Sequence, residues 1–122
     1  MADVNLGELR KELTTLRRNL ATKANDYRAL CEDYPAKEHA YRTALATKMI
    51  ELKAEGHPAT LISDLARGDR LVSKLRWDRD VAKGVKDACR SSQTAIEIAI
   101  NAVQTEINSE LREHELAGRY QA

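Results

Sequence analysis

Phenylalanine is absent from this chain, and one tryptophan and four tyrosines make up the aromatic content of its 122 residues. Turn-forming residues are also scarce, with two prolines and five glycines. Alanine, leucine, glutamate, lysine and arginine are plentiful instead, and these residues favour long helices over sheets. With 43% hydrophobic residues, the chain has enough apolar surface to fold without disulfides or metal ions. The composition therefore predicts an all-α protein.

Cysteine pairs and long apolar runs are missing as well, and we expect no leader sequence. Cys31 and Cys89 belong to no Cys-x-x-Cys or Cys/His pattern, so we expect small buried thiols, with a disulfide or a reactive thiol as the alternative. No stretch approaches the roughly 18 consecutive apolar residues of a membrane span, and no basic start precedes an apolar run. We expect a cytoplasmic protein that does not enter the membrane.

Signatures of catalysis are also missing. His39, His57 and His114 are far apart in the sequence, and Glu110 with His114 lacks the Glu-x-x-His spacing of a di-iron bundle. The chain has no phosphate-binding glycine loop, nucleophile elbow or zinc signature. We therefore expect no enzymatic activity, no cofactor and no metal site.

Leucines and tyrosines recur at intervals of three and four residues in the first third of the chain. This spacing is that of a coiled-coil seam, with one polar intrusion at Lys23. The members of the series are Leu6, Leu9, Leu13, Leu16, Leu20, Tyr27, Leu30 and Tyr34. Pro35 then interrupts the pattern, which resumes at Tyr41 shifted by one position. We expect the first long helix to be kinked or broken near Pro35.

The segment AEGHPATLISDLARGDR indicates the place where the chain reverses its direction. Gly56 directly follows the last periodic residue, as a helix-ending residue in the left-handed conformation does, and Pro58 suits the start of a new helix. Gly68 is expected to end this short helix, and Asp69 is expected to cap the next one. The Arg-Gly-Asp tripeptide thus has a local structural explanation.

The last segment is again periodic and predicts a second long helix. Its broad apolar face consists of Leu71, Leu75, Ala82, Val85, Cys89, Ser92, Ile96, Ala99, Val103, Ile107 and Leu111. A glycine in mid-helix, Gly84, suggests close approach of another helix, and Gly118 is expected to end the segment. The sequence predicts a single domain over residues 1–122: a long antiparallel helical hairpin, coiled-coil-like, with a short corner helix. The expected helices cover about 5–33, 35–55, 59–66 and 69–117.

A hairpin of two helices has no third element to cover the second side of its apolar faces. Such faces are usually completed by another copy of the chain or by a different protein. We therefore expect a homo-oligomer, with a dimer favoured, or a complex with a partner protein.

Two charged residues occupy positions where a helix seam should be apolar. Asp78 projects between Leu75 and Ala82, and Lys48 projects among apolar residues of the first long helix pattern. If the hairpin pivots about residue 63, Lys48 faces Asp78. We predict a Lys48–Asp78 ion pair that fixes the register of the hairpin more than it stabilises the fold. The alternative is that both side chains extend outward to the solvent.

A row of cations lies beside the apolar face of the last helix, again at intervals of three and four residues. This cation row consists of Arg76, Arg79, Lys83, Lys86 and Arg90. The formal net charge of the whole chain is +1, yet residues 57–90 carry eight basic and five acidic side chains. Such a row can follow a phosphate backbone or an acidic protein surface. The alternative is a solvated helix face whose cations pair with acidic residues of another copy.

The stretch LKAEGHPATLISDLARGDRLVSKLRWDRDVAKG joins a helix, a Gly-x-Pro turn, an Arg-Gly-Asp and a Leu-Arg-x-x-Arg-Asp helix. Over about residues 40–110 the chain resembles small helical proteins that are encoded in the early regions of tailed bacteriophages and prophages. The resemblance implies an accessory of phage DNA metabolism or a factor that blocks a host defence in the bacterial cytoplasm. It assigns no functional residue.

These observations lead to three functional hypotheses. The first is a non-enzymatic interaction protein whose helical surface occupies a host or phage protein, in its most specific form an inhibitor of a bacterial defence system such as CRISPR. The second is a nucleic-acid-binding accessory of phage recombination or replication, with the cation row on the phosphates. The third is a structural coiled-coil scaffold.

Overall fold

The computed structural model describes the backbone of residues 2–121 and the side chains of residues 5–119. Three α-helices follow one another over this part of the chain. Helix α1 spans Ala2–Ala54, α2 spans Ala59–Arg67 and α3 spans Arg70–Gln121. Helices α1 and α3 pack against each other as a hairpin, and the short α2 lies between them in sequence. The all-α hairpin predicted from the sequence is confirmed.

The packing of the hairpin divides it into two units. The corner unit, Tyr27–Ala88, contains the end of α1, all of α2 and the start of α3. Its buried residues Leu52, Ile62 and Ala66 form an apolar cluster, against which Leu45 and Met49 pack. Through this cluster the corner helix α2 packs against α1.

The terminal unit consists of the residues before Tyr27 and those after Ala88. In this unit the start of α1 and the end of α3 share a second apolar cluster, formed by the buried residues Leu13, Val103 and Ile107. Each unit thus has its own small hydrophobic core.

Helix α1 ends as the sequence predicted. Gly56 has a φ of 88°, in the left-handed region, and its N–H donates to the carbonyl oxygen of Lys53 over 3.1 Å. The N–H of His57 donates to the carbonyl oxygen of Leu52 over 3.2 Å. These two bonds form a Schellman motif, which satisfies carbonyl groups that the end of a helix would otherwise leave without partners.

Helix α3 begins at the cap that was expected. A carboxylate oxygen of Asp69 accepts hydrogen bonds from the N–H groups of Leu71 and Val72, over 3.1 and 3.2 Å. The residue before it, Gly68, ends α2 in the right-handed conformation with a φ of −80°. The Asp69 cap therefore acts without a left-handed glycine in front of it.

Helix α1 continues through Pro35 without interruption, so the pieces expected at 5–33 and 35–55 are one helix. Proline removes a single backbone donor from the helix, and Pro35 itself is exposed. On either side of it, Tyr34 and Glu38 contact cationic side chains of α3. Contacts on both sides of the proline hold the helix in place.

Two glycines in α3 have a different role from the one expected. Gly118 does not end α3, which continues to Gln121, because among residues 2–121 only Gly56 has a positive φ. The space where a side chain at Gly84 would lie has no heavy atom within 4 Å. Within the part of the chain that the structure describes, no helix approaches Gly84 closely, so the approach expected there is not made inside the hairpin.

Candidate interaction surface

The contact between α3 and α1 in the corner unit follows one narrow stripe of α3. The residues on this stripe are spaced three and four apart, and each is buried or half-buried: Val72, Leu75, Arg79, Ala82 and Lys86. This is the spacing of a coiled-coil seam. Two members of the cation row, Arg79 and Lys86, therefore lie in the seam and not on an outer face.

Arg79 is held in the seam by three contacts. Its guanidinium lies 4.5 Å from the centre of the Tyr41 ring, its Nε is 3.4 Å from Glu38, and a terminal nitrogen is 2.8 Å from Asp80. The hydrogen bond to Asp80 raises the pKa of Arg79. A hydrogen bond of 2.6 Å from Arg42, together with the charge of Arg79, lowers the pKa of Glu38. The cation is thus neutralised within the fold.

Lys86 makes a similar contact one heptad further along α3. Its ammonium lies 5.5 Å from the centre of the Tyr34 ring, a distance at which a cation is attracted by the π-electrons. Tyr34 and Tyr41 are seven residues apart on α1, as Lys86 and Arg79 are on α3. The seam of the corner unit therefore contains two successive layers in which a tyrosine faces a cation.

The cation row is divided by this arrangement. Arg76, Lys83 and Arg90 are exposed, whereas Arg79 and Lys86 are half-buried against α1. Arg90 belongs to the terminal unit and the other four belong to the corner unit. Arg79 could reach a phosphate only by giving up its contacts with Glu38 and Tyr41. The four cations of the corner unit therefore do not form one continuous surface for a phosphate backbone.

Lys48 lies opposite Asp69 and not opposite Asp78. The ammonium of Lys48 is 3.6 Å from carboxylate oxygens of both Asp69 and Glu51. The predicted Lys48–Asp78 pair is therefore wrong, because α2 packs back on α1 and moves the pivot of the hairpin. Each pair of facing residues consists of one residue of α1 and one residue near or in α3, such as Lys48 and Asp69. The midpoint between the two residue numbers of a pair lies at positions 58–60 and not at position 63.

Asp78 instead lines an open groove of about 320 Å³ between α1 and α3. On the α1 side the groove is lined by Leu30, Asp33 and Lys37. On the α3 side its edge is a ridge of three exposed apolar residues: Trp77 at 70% exposure, Val81 at 47% and Val85 at 48%. We call these three residues the α3 ridge.

The α3 ridge could be recognised only in part from the sequence. The apolar residues of α3 extend around more of the helix than one seam can bury, which is a signal that some of them remain exposed. Which of them face α1 depends on the register of the hairpin. For that reason Val85 was placed on the core face, and the exposure of Trp77 was missed.

The corner helix has an exposed apolar face of its own. Ile62 and Ala66 are buried against α1, whereas Leu61 and Leu65 are 49% and 44% exposed. Leu61 and Leu65 are four residues apart, so they lie one above the other on the same side of α2. We call this pair the α2 face.

Among the side chains that the structure describes, no three His, Cys, Asp or Glu residues come together as ligands of a metal ion. None of the helices, as far as the structure describes them, has a stretch that is apolar enough to cross a membrane. No protein-family model matches the chain, and neither a curated protein nor a solved structure matches it significantly.

Proposed function

We propose that this protein is a non-enzymatic interaction protein that binds another protein through the corner unit. The observation that supports the proposal is the amount of apolar surface that this unit leaves exposed. Its exposed large apolar residues are Ile50, Leu61, Leu65, Leu71, Trp77, Val81 and Val85. Single exposed apolar residues are normal, but a concentration of them in one part of a small protein is typical of an interaction site.

The α2 face is the part of this surface that we assign to the partner protein. Leu61 and Leu65 project from a short helix whose other side is anchored by Ile62 and Ala66. Apolar residues one turn apart on an anchored helix are the arrangement with which a helix enters an apolar groove of another protein. The anchoring matters because a helix that is already ordered loses little entropy when it binds.

The resemblance to phage early-region proteins supplies the setting of this proposal. In that setting the partner is a host or phage protein in the bacterial cytoplasm. Inhibition of a bacterial defence system such as CRISPR is then the most specific form of the proposal, because occupation of a protein surface is enough to block an assembly.

The proposal is tested with Leu65→Asp and a matched control. Leu111 is 43% exposed in α3 of the terminal unit, so Leu111→Asp introduces the same charge at the same exposure away from the α2 face. A protein captured from bacterial extract by the wild type is purified, and its Kd for the three chains is measured by calorimetry. We expect Leu65→Asp to weaken binding at least about 10-fold, which corresponds to 1.4 kcal/mol, and Leu111→Asp to have no effect. Equal affinity for all three chains, or no captured protein, would refute the proposal.

The nucleic-acid hypothesis keeps one supporting observation, the exposed cations Arg76 and Lys83. Two phosphate contacts give a slope of about −1.8 for log K against log salt, whereas all five cations would give about −4.5. Titration of labelled single- and double-stranded DNA at salt concentrations between about 50 and 200 mM measures this slope. The measurement distinguishes two phosphate contacts from five. We expect the shallow slope or no binding. A steep slope that becomes shallower by about 1.8 in Arg76→Gln/Lys83→Gln would favour the nucleic-acid function instead.

A further inference from the structure

The exposed side of α3 in the corner unit has one large protruding side chain, at Trp77, and an open space beside a residue without a side chain, Gly84. We call that open space the notch. Trp77 is 70% exposed and is the largest side chain of the α3 ridge. Gly84 has no side chain, and the space beside it is open. The two residues are seven positions apart, which places them on the same side of the helix, about two turns from each other.

The fold of this chain does not explain the glycine at position 84. Glycine is unfavourable in the interior of a helix, and it is used where a backbone must be approached closely. Among residues 5–119, no heavy atom from outside the local helix lies within 4 Å of the place where a Cβ of Gly84 would be. The notch is open to the outside, on the side where Trp77 projects.

The charges along one flank of this ridge alternate in sign. In chain order they are Arg76, Asp80, Lys83 and Asp87, and all four side chains are exposed. A two-fold axis that passes beside Val81 at right angles to α3 reverses this order in a second copy. Arg76 then faces Asp87 of the second copy. In the same way, Lys83 faces Asp80 of the second copy.

We infer that the α3 ridge pairs with the α3 ridge of a second copy of this chain, in the antiparallel direction and centred on Val81. In this pairing Trp77 enters the notch at Gly84 of the other chain, and Arg76 meets Asp87. Lys83 meets Asp80, one of whose carboxylate oxygens already accepts hydrogen bonds from Arg79 of its own chain. A two-fold interface requires a surface that is complementary to itself, and this ridge meets that requirement in both shape and charge. The inference goes beyond the proposed function, because it uses α3 and leaves Leu61 and Leu65 accessible.

The first test compares the mass in solution of the wild type, Trp77→Ser and Gly84→Leu by sedimentation equilibrium. We expect the wild type to have twice the chain mass of 13.7 kDa, and both variants to dissociate at least 10-fold more readily. Gly84→Leu is the decisive variant, because leucine favours the helix and cannot weaken pairing by unfolding it. Ile98→Ser, at a residue of the terminal unit that is 64% exposed, is the matched control and should keep the wild-type mass.

The second test exchanges charges between chains. Arg76→Asp alone places like charges opposite each other in the pairing, and so does Asp87→Arg alone, so each variant should be monomeric. An equimolar mixture of the two variants restores both opposite pairs, and we expect it to recover the dimeric mass. Contacts within one chain cannot produce this recovery.

The inference would be overturned if the wild type were monomeric at about 100 µM, a concentration well above the micromolar Kd of a weak dimer. It would also be overturned if the dimer persisted in both Trp77→Ser and Gly84→Leu. A mixture of the two charge variants that stays monomeric would overturn it as well. The Leu65→Asp chain separates this inference from the proposed function. It should keep the dimeric mass even though it loses its partner protein.

Discussion

Gly56 is the residue at which the backbone leaves α1, and its φ of 88° is strained for any residue with a side chain. We expect Gly56→Ala to lower the free energy of unfolding by about 1 to 2 kcal/mol, the cost of a left-handed residue with a Cβ. Urea unfolding followed by circular dichroism measures this change.

Gly68→Ala is the control for this prediction, because Gly68 has an ordinary φ of −80°. A Cβ at Gly68 would lie 3.4 Å from the carbonyl oxygen of Asp64, which is close but not strained. The free energy of unfolding should therefore change by less than about 0.5 kcal/mol. Equal losses in the two variants would show that the strain argument for Gly56 is wrong.

Glu38 makes the stability of the corner unit depend on pH. The hydrogen bond from Arg42 and the charge of Arg79 lower its pKa below the ordinary value of 4.5. A carboxyl group with a lowered pKa stabilises the fold above its unfolded pKa, and this stabilisation is lost as the pH falls through the folded pKa. Glu38→Gln should therefore be less stable than the wild type at pH 7, and this difference should shrink as the pH falls through the folded pKa.

Urea midpoints measured from pH 7 down to pH 3 test this difference. Glu12→Gln is the control, since Glu12 is an exposed carboxyl group of α1 in the terminal unit. Its unfolding midpoint should follow that of the wild type at every pH. A stability difference for Glu38→Gln that does not shrink as the pH is lowered would contradict the assignment of this charge network.

At the scale of the helices, Asp69 connects the start of α3 to α1. Its carboxylate caps α3 through Leu71 and Val72, and it lies 3.6 Å from the ammonium of Lys48. Asp69→Ala removes both interactions and should cost about 1 to 2 kcal/mol, mostly from the lost cap. Asp69→Asn keeps the capping oxygen and loses only the ion pair, which is partly exposed and worth about 0.5 kcal/mol.

Thermal unfolding of the wild type and the two variants separates the contribution of the helix cap to stability from that of the ion pair. The expected order of melting temperature is wild type, then Asp69→Asn slightly lower, then Asp69→Ala clearly lowest. If Asp69→Asn were as unstable as Asp69→Ala, the ion pair with Lys48 would be the dominant interaction, and the capping argument would fail.

The helix ends could be predicted from the sequence because their signals are local. A glycine that follows a periodic segment and an aspartate that precedes one act within a few residues, whatever the helices pack against. Gly56 and Asp69 were predicted on this basis and are found in these roles. The continuity of α1 at Pro35 was harder to predict, since packing of Tyr34 and Glu38 against α3 decides it.

The register between the long helices could not be predicted in the same way. It depends on how far the corner helix packs back on α1, which is decided by the contacts of Ile62 and Ala66 with Leu52. The sequence placed the midpoint of the chain reversal a few residues too late, and Lys48 was therefore predicted to face the wrong residue. Because α3 has apolar residues around much of its circumference, the same error placed part of the cation row on the outside when it belongs to the seam.

At the scale of the whole chain, each unit has its own apolar cluster, and each cluster is small. Val103, Ile107 and Leu13 form the buried part of one, and Ile62 and Leu52 belong to the other. Cores of this size contribute little free energy each, so one substitution can decide whether a unit stays folded. The two clusters therefore offer a way to ask whether the chain unfolds as one domain.

Ile107→Ala removes most of a side chain that is 5% exposed, and we expect it to cost about 2 kcal/mol in the terminal unit. Because the clusters share no residue, the loss of amide protection should be confined to residues 5–26 and 89–119, while Tyr27–Ala88 keeps the exchange rates of the wild type. Native-state hydrogen exchange read by mass spectrometry measures both regions at once.

Ile62→Ala is the reciprocal control and should lower protection in the corner unit. Equal loss of protection in both regions for either variant would mean that the long helices unfold as a single cooperative domain over residues 1–122, as the sequence predicts.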